Sequence, residues 1–293
     1  MNGAGFAILL AILFNNIAQA SELKSLWEAS RAQHYRPASA LELVRAEQLF
    51  MHMFSGQGTH QEVTDAWSAL GFATTRVTVG ERRFVVVSET AARRDGRGFF
   101  VVCDTPCGND ALQAPHAYTD LYTGTIALQL ARSGRFLALA MNTIPRRYEV
   151  DGQTFDADMA HLEGTYMIAF SRAYARTKPT GQVVQLHGFS AKKHSGGPAA
   201  DAQLIISSGT VRPSAPAERA VNCLRDVVGD QVKLYPRDVR ELGGTQNRIG
   251  AELRSLGHSG FLHIEMEYTF RRALRKDSAL RMRLLNCLQT AAH

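Results

Sequence analysis

Lysine is scarce in this chain. Only six of its 293 residues are Lys, scattered rather than blocked, and 33 Lys plus Arg against 27 Asp plus Glu leave a net charge of +6. That surplus is mild for the length, so the chain lacks the electrostatic footprint of a nucleic-acid binder. Long apolar runs are missing too: the stretch Phe6–Phe14 is too short to span a bilayer. There is no Gly-x-Ser-x-Gly elbow, no Gly-x-x-x-x-Gly-Lys-Ser/Thr loop, and no Gly-x-Gly-x-x-Gly after a strand. Those absences remove the α/β-hydrolase serine nucleophile, the P-loop and the dinucleotide fingerprint. No internal repeat or low-complexity tract occurs. What is present, 45% hydrophobic and 20% charged residues, buries a sizeable core and excludes disorder, collagen and coiled coil.

The first twenty residues stand apart. The run Phe6–Phe14 precedes Ala18-Gln19-Ala20, the form of a signal peptide and its cleavage site, with the α-amino group as the only positive end. The mature chain is then expected to begin at Ser21 and to work in the periplasm or as a secreted protein, with no stable membrane span after cleavage. Four cysteines fit an oxidising compartment: Cys103 and Cys107 in Cys-Asp-Thr-Pro-Cys, and Cys223 and Cys287 within predicted helices. Of three connectivities, proximity favours 103 with 107 and 223 with 287. Zinc held by four thiolates and four buried free thiols are the alternatives.

Residues 21–80 have a helical texture. Leu41, Val44, Leu49 and Met53 recur near a 3.6-residue period after Pro37-Ala38-Ser39, and a second helix is expected over Gln61–Leu70. Beyond them, short apolar runs alternate with helical stretches. Expected strands are Phe84–Val87, Phe99–Val102, Leu112–Pro115, Phe136–Met141, Val183–Leu186, Gln203–Ile206, Val232–Leu234 and Phe261–Met266. Expected helices are Thr125–Ser133, Met159–Ala175, Ala217–Val228, Asn247–Leu256 and Ser278–Thr290. Near-continuously apolar strands alternating with helices predict an α/β fold, a single mostly parallel or mixed sheet covered on both faces. Residues 81–293 form its domain, and 21–80 a helical extension packed on it.

Functional groups of such sheets gather at the carboxyl ends of the strands. His116 and Asp120 follow the Leu112 strand, Asn142 the Phe136 strand, His187 ends the Val183 strand, and Glu265 nears the end of the last one. Two histidines and a carboxylate make a sufficient ligand set for a catalytic zinc ion, so His116, Asp120 and His187 are the candidate ligands. Asp104 and Asp110 are alternatives to Asp120. Glu265 is the candidate general base, with His263 two residues away on the same strand face. Asn142, Arg146 and Arg147 occupy an Arg-rich loop suited to holding a substrate carboxylate. Asp158 and His161 open the next predicted helix and can orient the ligands from behind, although an acid there is also ordinary capping chemistry. The glycines of Glu241-Leu-Gly-Gly-Thr-Gln-Asn read either as an anion-binding turn or as plain turn punctuation.

The order His116-x-x-x-Asp120, Asn142 with Arg146 and Arg147, His187-Gly188 after an apolar strand, then Glu265 followed by Arg271, resembles the zinc amidohydrolases related to carboxypeptidases. Within that group the chain resembles N-formylglutamate amidohydrolases and phage-type poly-γ-glutamate hydrolases, over roughly residues 110 to 288. The resemblance implies a zinc carboxypeptidase or phosphorylase/hydrolase-like fold. It also implies one zinc ion, a glutamate general base, and an amide or peptide substrate ending in a carboxylate, with Arg271 joining the substrate-binding residues. The carboxypeptidase pattern has His-x-x-Glu, whereas here an Asp stands one residue further on. An exported hydrolase acting on an N-acyl amino acid, a γ-glutamyl compound or a cell-wall peptide is therefore expected. The alternative is a non-catalytic envelope binding protein on the same fold.

Overall fold

The central strands are mostly apolar, and that pattern places them inside the molecule. In the computed structural model, which describes residues 22–194 and 196–289, they form a nine-stranded mixed sheet. The expected signal peptide lies outside the described residues. The strands are β1 (Phe72–Val79), β2 (Arg82–Glu89), β3 (Phe99–Cys103), β4 (Asp110–Ala114), β5 (Phe136–Met141), β8 (Val183–Phe189), β9 (Leu204–Ser207), β10 (Val232–Leu234) and β11 (Phe261–Glu267). Their order is β1-β2-β3-β5-β4-β8-β11-β9-β10. The middle four, β5, β4, β8 and β11, run parallel, and β9 and β10 pair in parallel at one edge. The other neighbours are antiparallel.

Helices cover both faces. The chain starts with α1 (22–29) and continues through α2 (Ala40–Ser55), α3 (His60–Ala69), α4 (Thr123–Ala131), α5 (Tyr166–Thr177), α6 (Ala215–Val228), α7 (Arg248–Ser255), α8 (Tyr268–Lys276) and α9 (Ser278–Leu288). Capping boxes, Ser39 with Glu42 and Thr59 with Glu62, start α2 and α3 and satisfy donors that the first turn leaves free. On one face α2 and α5 meet the sheet through an aromatic cluster, with Phe50 4.9 Å from both Trp67 and Phe100 and 5.3 Å from Phe170. On the other face α4, α6 and α9 cover Leu112, Val184, Leu186, Leu262 and Ile264.

All eight expected strands are present. The helical extension needs correction, because residues 72–79 form edge strand β1, joined to β2 by the two-residue turn Gly80-Glu81 with Gly80 at φ +61°. Only Phe72 and Val77 of β1 are buried, so its apolar alternation is too weak to reveal a strand. The exposed ribbon of β6 (Arg147–Val150) and β7 (Gln153–Asp156) escapes for the same reason. Helix α5 starts at Tyr166, not Met159, so Asp158 and His161 stand in the turn before it. Helix α8 was hidden because it follows β11 without a loop: Glu267 is both the last strand residue and its N-cap.

The two disulfides join Cys103 to Cys107 and Cys223 to Cys287, so neither a thiolate zinc site nor free thiols exist. The second ties α6 to α9 across 64 residues. A loop of that size contributes about 4 kcal/mol by the chain-entropy relation. Replacing both Cys223 and Cys287 by Ala should lower the unfolding free energy by roughly 2–4 kcal/mol in a denaturant titration.

Candidate functional site

Three neighbouring strands carry one gradient on the same face of the sheet. Side chains two residues apart share a face. The rows read Ala111 then Gln113 on β4, Val183, Gln185 and His187 on β8, and Phe261, His263 and Glu265 on β11, apolar at the amino end and polar at the carboxyl end. The register aligns them: Gln113 pairs with Gln185, Gln185 with His263, and His187 with Glu265. The turn after β4 adds the remaining groups, with the Asp120 N–H donating to the His116 carbonyl at 2.8 Å so that both side chains face one way. A cavity of about 210 Å³ opens over these ends, lined by His116, Asp120, His187, His263 and Glu265, with Arg146 and His161 also on its wall.

The donor atoms converge. His116 Nδ1 is 3.1 Å from His187 Nδ1 and 3.5 Å from Asp120 Oδ2, and His187 Nδ1 is 3.9 Å from the same oxygen. Ligands bound at 2.0–2.1 Å in tetrahedral directions lie roughly 3.3–3.4 Å apart, so the triangle has the size of a metal site. These three residues, and a second group of His187, His263 and Glu265, each bring ligand atoms within 4.8 Å of one another and can hold a metal ion.

Hydrogen bonds set which nitrogen of each ring carries its proton. The Ser171 hydroxyl donates to the Met167 carbonyl at 2.7 Å and therefore accepts from Gln113 Nε2 at 2.8 Å. Gln113 Oε1 then accepts from Gln185 Nε2 at 2.9 Å, which turns Gln185 Oε1 towards His187 Nε2 at 2.7 Å. Asn247 fixes the same orientation from another direction. Its Oδ1 caps α7 by accepting from the Gly250 N–H, leaving Nδ2 to donate to Gln185 Oε1. His187 thus carries its proton on Nε2 and presents a lone pair at Nδ1. His116 donates Nε2–H to Asp158 Oδ1 at 2.7 Å, leaving Nδ1 as the atom that faces the triangle. Two lone pairs and a carboxylate this close repel one another unless a metal ion lies between them or a proton sits on His116 Nδ1.

Electrostatics agree. Burial works against a charge on His116, but Asp120 and Asp158 overcome it and lift its pKa to about 9, the mark of a place that holds positive charge, proton or metal. Burial pushes His187 well down, helped by His263 and His116, and takes His263 to about 3, so both rings are neutral. The Asp158 carboxyl is well below the usual range despite burial, because His116 and His161 bind it. Burial, with the charge of Asp120 adding to it, raises Glu265 to about 8. Glu265 Oε2 and His263 Nδ1 are both buried without a hydrogen-bond partner.

The other expected residues divide. Asp158 meets His116 from behind, whereas His161, 3.0 Å from the other Asp158 oxygen, is itself on the cavity wall. Arg146 reaches the cavity wall, but Arg147 lies exposed on the β6–β7 ribbon. Asn142 is fully buried below the cavity, where Oδ1 accepts from the Ala117 N–H at 2.7 Å and Nδ2 donates to the Ile144 carbonyl. It clamps the His116 turn instead of meeting a substrate. Trp27 of α1 braces this clamp, donating to the Asn142 carbonyl at 3.1 Å and stacking on Tyr118. Arg271 is buried too, donating to the carbonyls of Leu121 at 2.7 Å and Phe189 at 3.0 Å, and so fastens the segments that carry Asp120 and His187. Among the alternatives to Asp120, Asp104 is exposed beside Arg83 and Asp110 is at the far end of β4, where it accepts from the Gln182 N–H.

Two glycines are required by close approach. A Cβ at Gly244 would stand 2.7 Å from the His263 ring, and one at Gly188 2.3 Å from Arg271 Nη1, while the Gly188 N–H donates to Asp120 Oδ2 at 2.9 Å. The Gly-rich turn thus packs against His263 and forms part of the cavity wall. Gln113, Gln185 and Asn247 were not singled out as site residues from sequence. A polar residue inside an otherwise apolar buried strand, as in Val-Val-Gln-Leu-His, was the signal that could have found the glutamines.

No protein-family model matches the chain, and no curated protein matches it.

Proposed function

We propose that the chain is a zinc-dependent hydrolase of the periplasm or extracellular space that cleaves an amide or peptide bond in a small carboxylate-bearing substrate. The observation that carries this reading is the convergence of His116 Nδ1, His187 Nδ1 and Asp120 Oδ2 beside the unpartnered Glu265 Oε2. Two imidazoles and a carboxylate suit zinc and leave a position open for water or substrate. When bound there, such an ion polarises a carbonyl and makes water acidic enough to lose a proton near neutrality. The Glu265 carboxyl, raised to about 8 by burial, is ionised when a cation held beside it offsets that burial, and its Oε2 then accepts that proton and returns it to the leaving amine. Arg146, on the cavity wall, binds the substrate carboxylate through its guanidinium fork. The two disulfides support an oxidising compartment, and among the described residues no helix is long and apolar enough to cross a membrane. N-acyl amino acids, γ-glutamyl compounds and cell-wall peptides are the substrates to screen. Turnover of one of them, lost on chelation and restored by zinc, is the expected result. A fully zinc-loaded protein that binds such a compound without turning it over would be the envelope binding protein instead.

The Gln185 amide holds His187 in the ligating tautomer, and groups in that role typically change metal affinity 10–100-fold. Gln185→Leu should therefore weaken metal binding by roughly 10–100-fold in a chelator competition, with the Asn247 side chain left without its acceptor.

A further inference from the structure

A second cavity, of about 340 Å³, opens at the opposite end of the sheet. Its walls are the β1–β2 turn, the end of α4 with the residues leading into β5, and the first turns of α9. Arg82, Arg132 and Arg281 line it, and no Asp or Glu does. Among the described residues none of these three arginines is in an ion pair. Arg132 Nε is buried without a hydrogen-bond partner. Burial, together with the charge of Arg281, pulls the Arg132 pKa down, so its positive charge is not balanced locally. Asp277, the acid that acts on Arg281, is not in the lining and accepts from the Leu280 N–H as the cap of α9. Val79, Leu130 and Leu285 supply an apolar wall beside the guanidinium groups.

We propose that this crevice is an anion site that takes a phosphate group carried on an apolar body. Arg281 Nη1 donates to the Leu274 carbonyl, and the remaining donors of the three guanidinium groups still offer more charge and more hydrogen bonds than one carboxylate can accept, whereas a phosphomonoester brings nearly two negative charges and three acceptor oxygens. The volume exceeds what a bare phosphate needs, and Val79, Leu130 and Leu285 give the remainder of the ligand an apolar surface. The site shares no residue with the His116–His187 cavity and stands whether or not the chain is a hydrolase.

The test titrates phenyl phosphate, and separately vesicles containing phosphatidic acid, into the full chain and into its Arg132→Gln, Arg82→Gln and Arg146→Gln variants. Expected is binding in at least one arm, weakened at least tenfold by Arg132→Gln and by Arg82→Gln and unchanged by Arg146→Gln. Binding of phenyl phosphate identifies a soluble ligand, and binding confined to vesicles identifies a lipid headgroup. Arg82 is exposed at the start of β2, so its variant keeps the test decisive even if Arg132→Gln disturbs folding. No binding in either arm, or binding that Arg82→Gln leaves intact, would overturn the proposal.

Discussion

Replacing Glu265 by Gln should cut turnover by roughly two to four orders of magnitude while leaving the metal content unchanged, the usual share of a positioned acid–base group. The substitution keeps the shape of the side chain and removes the proton acceptor. Oε2 is the atom in question, since it is buried, faces no hydrogen-bond donor and belongs to a carboxyl beside the His187 ligand position. Parallel measurement of kcat and bound metal checks this. If Gln at 265 abolished metal binding, the ion would belong to the His187, His263 and Glu265 group, and Glu265 would be a ligand instead of a base. A variant with near wild-type turnover would remove Glu265 from the chemistry altogether.

Metal removal should have a comparably large effect on stability. An ion that binds only the folded chain stabilises it by about 4 kcal/mol when present at a thousand times its dissociation constant. Unfolding by denaturant is therefore expected to shift by roughly that amount between zinc-saturated and chelated wild-type protein. His187→Ala should show no such shift, because it removes one of three converging donors and breaks the Gln185 contact behind it. An equal zinc-dependent shift in wild type and His187→Ala would place the ion elsewhere.

Much of this arrangement was legible in the residue order. Strongly apolar strands such as Phe99–Cys103 and Phe136–Met141 declare themselves because burial on both faces leaves no polar alternation to confuse. The carboxyl-end rule then drew His116, Asp120, His187 and Glu265 to one edge, and the structure brings them to one cavity. Direction was harder. Asn142, Arg147 and Arg271 have the right chemistry at the right place in the chain, yet whether such a side chain faces a cavity or a backbone carbonyl depends on tertiary packing. Asn142 and Arg271 turn their polar atoms onto the backbone at Ala117 and Leu121, and Arg147 is carried away by a ribbon that only pairing reveals. The glutamine relay was invisible for a related reason: Gln113 and Gln185 gain meaning only when parallel register sets them side by side.

The account rests on one ion held by His116, Asp120 and His187. Elemental analysis of the wild-type protein and of the His116→Ala/His187→Ala variant, each loaded with zinc and passed through the same desalting step, tests it most directly. One equivalent of zinc in the wild type and none in the variant is the expected result. Equal metal in the two proteins would contradict the site and the chemistry built on it.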